Sequence, residues 1–179
     1  QLLGLSVLRW PALGLAAAAV SASPPHAAFA TDWPQAHSDL RADPRVLLGA
    51  LPNGMRYAIM PNATPKGTAM VQFWVDAGSI EETPAERGYA HFIEHMAFNG
   101  STHVPEGEMV KLLERKGLAF GADTNASTNY DVTLFKLDLP KNDPGLLDAA
   151  LMLMRETASE LTFDPGAVER EKGVVLSEM

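Results

Sequence analysis

Cysteine is absent from this chain of 179 residues. Without thiols the protein can form no disulfide, has no thiolate nucleophile and offers no sulfur ligand to a metal. Any metal site must therefore be built from His, Asp and Glu side chains, and the chain has only five His.

Clustered positive charge is also missing. Lys and Arg number 14 against 22 Asp and Glu, which gives a formal net charge of −8, and no run of basic residues occurs. Nucleic acids and anionic membrane surfaces are bound through clustered Lys and Arg. We therefore expect no nucleic-acid partner, and we interpret the acidity as that of a solvated surface.

Residues 1–30 differ in composition from the rest of the chain. They are nearly all apolar or small, and they end in Ala28-Phe29-Ala30. This A-x-A ending is typical of a secretory signal peptide, although Arg9 alone supplies a positive start. The apolar run is too short and interrupted for a comfortable span of about 20 residues, so an uncleaved anchor and a folded helix are the weaker alternatives. We expect cleavage after Ala30, a periplasmic or secreted location, and no membrane attachment after cleavage.

The remaining residues predict a linker and then one domain, residues 46–179. Polar residues and two prolines at 31–45 indicate a linker or loosely docked arm. Short apolar runs flank Asn53-Gly54, a strong hairpin signal, because both residues tolerate positive φ. Strands are predicted at 47–51, 56–60, 68–76 and in the strand-like stretch 119–140, and helices at 89–98, 105–116, 144–161 and 166–179. Strands in hairpin-like sets followed by helices favour an α+β fold.

One motif with chemical meaning lies in the helix predicted at 89–98. It is His91-Phe92-Ile93-Glu94-His95, an H-x-x-E-H pattern. On a helix His91 and His95 lie one turn apart on the same face, so both imidazoles can bind one Zn²⁺ at about 2.0–2.1 Å. Glu94 borders that face and is free to act as general base towards a water whose pKa the metal lowers toward about 7. Five residues can match by chance, but the predicted helix after a strand and a Gly-terminated loop strengthens the interpretation.

The sequence around this motif resembles the pitrilysin–insulinase family of zinc peptidases, and most of all its exported bacterial, PqqL-like members. The resemblance covers about residues 46–179 and rests on segments 51–57, 76–79, 88–100, 123–128 and 169–178. It implies a mainly antiparallel sheet with helices packed on one face, as in the N-terminal part of a pitrilysin-type α+β domain. It also implies Zn²⁺ as cofactor and hydrolysis of peptides or unfolded polypeptides.

The resemblance further implies a glutamate as third metal ligand. Glu171 and Glu178 are seven residues apart and share a helix face. The family's usual spacing from the second His lands on or beside Glu171, whereas the local helix pattern places the ligand at Glu178. We favour Glu178, because loop insertions change gaps more easily than they change the spacing within a helix. Glu171 is then expected to orient the site from behind a ligand.

Asn125 and Ala126 match the family's strand that pairs with an extended substrate backbone. We expect a peptide substrate to be added there as a strand, although a polar strand end is also common without such a role. Family members are much longer and resemble two halves that close around the substrate. We therefore expect this chain to be an N-terminal fragment, inactive alone, with the C-terminal half of the full-length protein as its partner. The alternative is an inactive homologue acting as a binding or scaffold subunit, but such relatives usually have a broken motif.

Overall fold

The computed structural model describes residues 33–119, 121 and 123–178. The chain divides into two compact units, residues 1–61 and residues 62–179. The predicted signal peptide lies outside the described residues. Among the helices of the described part, none has the length and apolar character needed to cross a bilayer.

The described part of the first unit is an antiparallel hairpin preceded by a short 3-10 helix. Its elements are the 3-10 helix Pro34–His37 and the strands β1 (Leu47–Ala50) and β2 (Arg56–Ile59). In the turn, Gly54 has a φ of 89° and the Asn53 side chain accepts a hydrogen bond from the Met55 amide at 3.1 Å. The Asn-Gly hairpin expected from the sequence is therefore present.

The second unit contains a three-stranded antiparallel sheet. Its strands are β3 (Ala69–Val75), β4 (Thr124–Thr128) and β5 (Thr133–Leu139), in the order β3-β5-β4. Alternate residues of the central strand β5, Phe135 and Leu137 among them, are buried. On β3 the residues of the opposite face, Met70 and Trp74, are each 57 % exposed. One face of this sheet is thus a packing face and the other is open.

In the described residues of this unit four helices accompany the sheet: α1 (Tyr89–Met96), α2 (Glu108–Arg115), α3 (Pro144–Ser159) and α4 (Pro165–Glu178). Leu113 of α2 and Leu153 of α3 join Leu137 and Leu139 of β5 in one buried cluster. Helix α1 contacts β4, β5 and α4. The α+β fold with an antiparallel sheet and helices packed on one face, predicted above, is confirmed.

The stretch 119–140 differs in detail from its strand-like prediction. It forms two strands joined by a turn in which the Asn129 amide donates to the Val132 carbonyl at 2.8 Å. The polar residues Asn129 and Asp131 favour such a turn. Helix α2 likewise begins at Glu108 rather than at 105, because Gly107 occupies the left-handed region with a φ of 77°.

Candidate metal centre

Helix α1 places His91, Glu94 and His95 within one turn of each other. The helix ends just beyond His95, where the Asn99 side chain donates to the His95 carbonyl at 3.0 Å. Gly100 follows with a φ of 109°, a conformation that glycine adopts without strain. The helix is therefore short, and its two turns contain the whole motif.

The Nε2 atoms of the two imidazoles are directed toward each other. His91 Nε2 and His95 Nε2 lie 3.2 Å apart, and the rings meet edge to face with centroids 4.7 Å apart. Both rings are partly exposed. Two ring nitrogens brought this close can serve as ligands of a single ion.

Helix α4 brings two carboxylates to the same histidines. Glu178 Oε2 lies 3.5 Å from His91 Nε2 and 3.5 Å from His95 Nε2. One ligand atom from each of the three residues lies within 4.8 Å of the others. Among the described residues this is the one group of three or more acidic or His side chains with such spacing. Two imidazoles and one carboxylate form the donor set of catalytic zinc sites.

Glu171 contacts the other side of the His95 ring. Its Oε2 lies 3.0 Å from His95 Nδ1. A carboxylate oxygen accepts, so this contact favours the His95 tautomer with its proton on Nδ1, in which the Nε2 lone pair faces His91. A cation between the two Nε2 atoms would satisfy that lone pair, so the residues present fit a metal ion. Of the two glutamates, Glu178 lies in the donor group and Glu171 contacts the other ring nitrogen of His95.

Glu94 precedes His95 on helix α1 but is not part of this donor group. The residue is 9 % exposed, and its Oε2 accepts a hydrogen bond from Thr128 Oγ1 at 2.6 Å. Thr133 Oγ1 lies 3.4 Å from Thr128 Oγ1 and donates to the Ala77 carbonyl at 2.9 Å. Each hydroxyl has one proton to donate. Thr128 donates its hydrogen bond to Glu94, and Thr133 donates its hydrogen bond to the Ala77 carbonyl. The carboxylate is thus held by the last residue of β4.

Strand β4 lies at an edge of the described sheet. Asn125 is exposed and Ala126 is half-buried, and they lie opposite Lys136 and Phe135 of β5. Neither residue belongs to the donor group. The strand ends at Thr128, however, so its edge leads directly to the Glu94 carboxylate.

A cleft opens next to His91. It is lined by side chains of the loop before α1, including Ser79, Glu82 and Arg87, and by Thr128 and Tyr130 from the end of β4 and its turn. Tyr130 is 80 % exposed. The cleft therefore joins the end of the edge strand to the start of the motif helix.

Sequence reasoning did not single out Thr128 or Glu82 as site residues. Thr128 lay within a segment quoted for the family resemblance, and its position at the strand end was the available signal. Glu82 accepts hydrogen bonds from the Gly88 and Ala90 amides at 2.7 and 2.8 Å. An acidic residue shortly before a helix start is typical of a capping role, which was the signal for Glu82. His103 contacts Glu156 and lies outside the donor group in the described structure.

Comparison with known families and proteins gives a consistent result. The chain matches the family model described as "Insulinase (Peptidase family M16)" over residues 57–179. It is 37 % identical over 142 residues to "Probable zinc protease PqqL" of Haemophilus influenzae, covering 79 % of this chain and 15 % of that protein. The protein of the same name from Escherichia coli is 37 % identical over 139 residues, covering 78 % of this chain and 15 % of that protein. The chain thus spans less than a fifth of the length of these relatives.

A solved structure is similar as well. The crystal structure of the first half of the periplasmic protease PqqL from Escherichia coli matches with a TM-score of 0.74 and 37 % identity. The match covers 78 % of this chain and 30 % of that one.

Proposed function

The chain belongs to the insulinase family of peptidases, family M16, and from that membership we propose that it bears the zinc site of a metalloendopeptidase. The single observation that supports this most is the donor group of His91, His95 and Glu178. Glu94 is the residue before His95 on the same helix. The similar proteins are named zinc proteases. Because the chain spans about 15 % of their length, we propose this activity for the full-length protein rather than for this chain alone.

Zn²⁺ is the proposed ion, held by His91, His95 and Glu178. When bound there, zinc supplies Lewis-acid polarisation of a peptide carbonyl and makes a nearby water more acidic. Glu171 keeps the His95 ring in the tautomer and orientation that a ligand needs.

Glu94 is the proposed general base. Its carboxylate takes the proton of the attacking water and later gives that proton to the leaving amine. Thr128 holds the carboxylate in place from one side. Since Glu94 is 9 % exposed, little solvent reaches it to compete with Thr128 for hydrogen bonds.

The substrate is proposed to be a peptide or an unfolded polypeptide, bound in extended form along β4. Asn125 and Ala126 lie on that strand, and main-chain pairing at a sheet edge tolerates many side chains. The C-terminal part of the full-length protein is proposed to complete the substrate chamber, since the matching structure is described as a first half. That relative is described as periplasmic, which supports a periplasmic or secreted location here together with the predicted signal at 1–30.

Zinc content and peptide cleavage of the full-length protein test this proposal. We expect about one zinc per chain in the wild type, and zinc retained with activity reduced by about 10²- to 10⁴-fold in Glu94→Gln. Glu178→Gln is expected to lose zinc, and Glu171→Gln to bind it roughly 10- to 100-fold more weakly. Exposed Glu169 supplies the matched control, because Glu169→Gln changes the same helix away from the histidines.

Three outcomes contradict parts of the proposal. A wild-type protein without zinc would end the metal assignment. Zinc held by Glu178→Gln but lost by Glu171→Gln would exchange the two glutamates. Zinc bound by a wild type that cleaves no peptide would favour a binding or scaffold subunit.

A further inference from the structure

The start of helix α1 is capped by a residue that lies several positions earlier in the chain. Its first residue follows Gly88, which has a φ of 93° and no side chain with which to cap the helix. Glu82 supplies the missing acceptors: its Oε2 accepts from the Gly88 amide at 2.7 Å and its Oε1 from the Ala90 amide at 2.8 Å. The first amides of a helix have no partner within the helix, so one carboxylate satisfies two groups that otherwise lack one.

The loop that holds Glu82 is itself fixed to the turn after β4. The Ser79 amide donates to the Asn129 carbonyl at 3.2 Å, and the Ile80 amide donates to the Tyr130 carbonyl at 2.8 Å. At Gly78 the backbones approach so closely that a Cβ would lie 2.3 Å from the Asn129 oxygen. The loop that carries Glu82 is therefore held in place by backbone hydrogen bonds when Glu82 contacts the helix.

We propose that Glu82 is a positioning residue for His91, an inference that rests on the zinc site proposed above. The second amide that Glu82 accepts from belongs to Ala90, the residue directly before His91. Loss of the cap would fray the first turn, which contains His91, before it disturbed Glu94 and His95 in the second turn. A carboxylate at this end also complements the partial positive charge of the helix N-terminus.

Zinc affinity of the full-length protein, measured by chelator competition, tests the inference. Glu82→Gln keeps the side-chain shape but offers only one oxygen and sets an amide NH₂ against the second backbone N–H. We expect the zinc Kd to rise about 10-fold, while the thermal transition of the zinc-free protein changes little. Peptide cleavage by this variant should return towards the wild-type rate when zinc is raised to saturation.

Glu81→Gln is the matched control. Glu81 lies in the same loop and accepts a hydrogen bond from the Gly78 amide at 2.8 Å, so this bond stays within the loop. We expect its zinc Kd to equal that of the wild type.

Each contrary outcome has a distinct meaning. A wild type that binds no zinc overturns both the proposed function and this inference. An unchanged Kd in Glu82→Gln overturns the inference alone, and so does an equal rise in both variants, which would assign the effect to the loop as a whole. Loss of the zinc-free thermal transition in Glu82→Gln would make Glu82 a folding determinant and would also overturn it.

Discussion

Thr128 is the residue on which the placement of the Glu94 carboxylate most depends. Its hydroxyl donates to Glu94 Oε2 at 2.6 Å, and Thr133 has already committed its own proton to the Ala77 carbonyl. Thr133 therefore cannot replace Thr128 as donor without breaking that second bond. A hydroxyl that fixes a base in one rotamer contributes to rate rather than to metal binding.

Thr128→Val removes this donor and keeps the shape of the side chain. Since a hydrogen bond to a charged group is worth about 1.5–3 kcal/mol, we expect kcat for peptide cleavage to fall roughly 10- to 100-fold with zinc content unchanged. Steady-state kinetics and zinc analysis of the full-length protein measure both quantities. Thr128→Ser keeps the hydroxyl and should retain most of the rate, whereas an unchanged kcat in the valine variant would deny Thr128 this role.

At the scale of elements, the sequence predicted most of the strands and helices but not how they meet. Alternation in 68–76 and 131–139 divided the residues of β3 and β5 between two faces, because side chains of a strand alternate, but it did not say which face is buried. The spacing of His91 and His95 predicted that the two rings share one helix face. Contacts between elements could not be read in this way. Glu82 caps α1 from the preceding loop, and Glu94 bonds to Thr128, which lies 34 positions later in the chain.

Helix α4 illustrates the same division. The seven-residue spacing of Glu171 and Glu178 placed both on one face, so sequence alone left two candidates for the donor group. Which carboxylate meets which ring nitrogen depends on how α4 packs against α1. The structure places Glu178 near both Nε2 atoms and Glu171 at Nδ1 of His95.

Strand β4 makes a prediction about substrates. If a peptide is added to its edge, N-methylation of a substrate amide that faces β4 should raise KM about 3- to 10-fold, the value of one backbone hydrogen bond. N-methylation of the next amide, which points away from the strand, supplies the control and should leave KM nearly unchanged. Equal KM values along a full methylation series would argue that the substrate is not bound as an added strand.

At the scale of the whole unit, one buried carboxylate joins α3 to the segment that follows α1. Glu156 of α3 is fully buried, and it accepts hydrogen bonds from Ser101 Oγ at 2.7 Å and from the His103 amide at 3.0 Å. His103 Nδ1 lies 2.9 Å from its second oxygen, and Arg155 approaches to 3.5 Å. Breaking this network would leave the buried Glu156 carboxylate and the buried Ser101 hydroxyl without these partners.

The ionisation of Glu156 couples this junction to pH. Burial by itself would raise the pKa of Glu156, but the hydrogen bonds from Ser101 and His103, with the charge of His103, together hold that pKa below its ordinary value of 4.5. A carboxyl whose pKa is lower in the folded state stabilises the fold above its unfolded pKa. That stabilisation is lost as the pH falls from about 4.5 through the folded pKa.

Glu156→Gln should therefore lower the free energy of unfolding at pH 7 by about 1–3 kcal/mol, because the uncharged amide replaces an acceptor of three contacts. The deficit should shrink below pH 4.5, where the carboxyl of the unfolded wild type takes up a proton before that of the folded protein does. Chemical denaturation of the full-length protein at pH 7 and at pH 3.5 measures both values, with Glu169→Gln as an exposed control that should match the wild type at either pH. A deficit of the same size at the two pH values would mean that Glu156 acts through its hydrogen-bond acceptors and not through its lowered pKa, since a contribution from that pKa must shrink once the pH is below the ordinary value of 4.5.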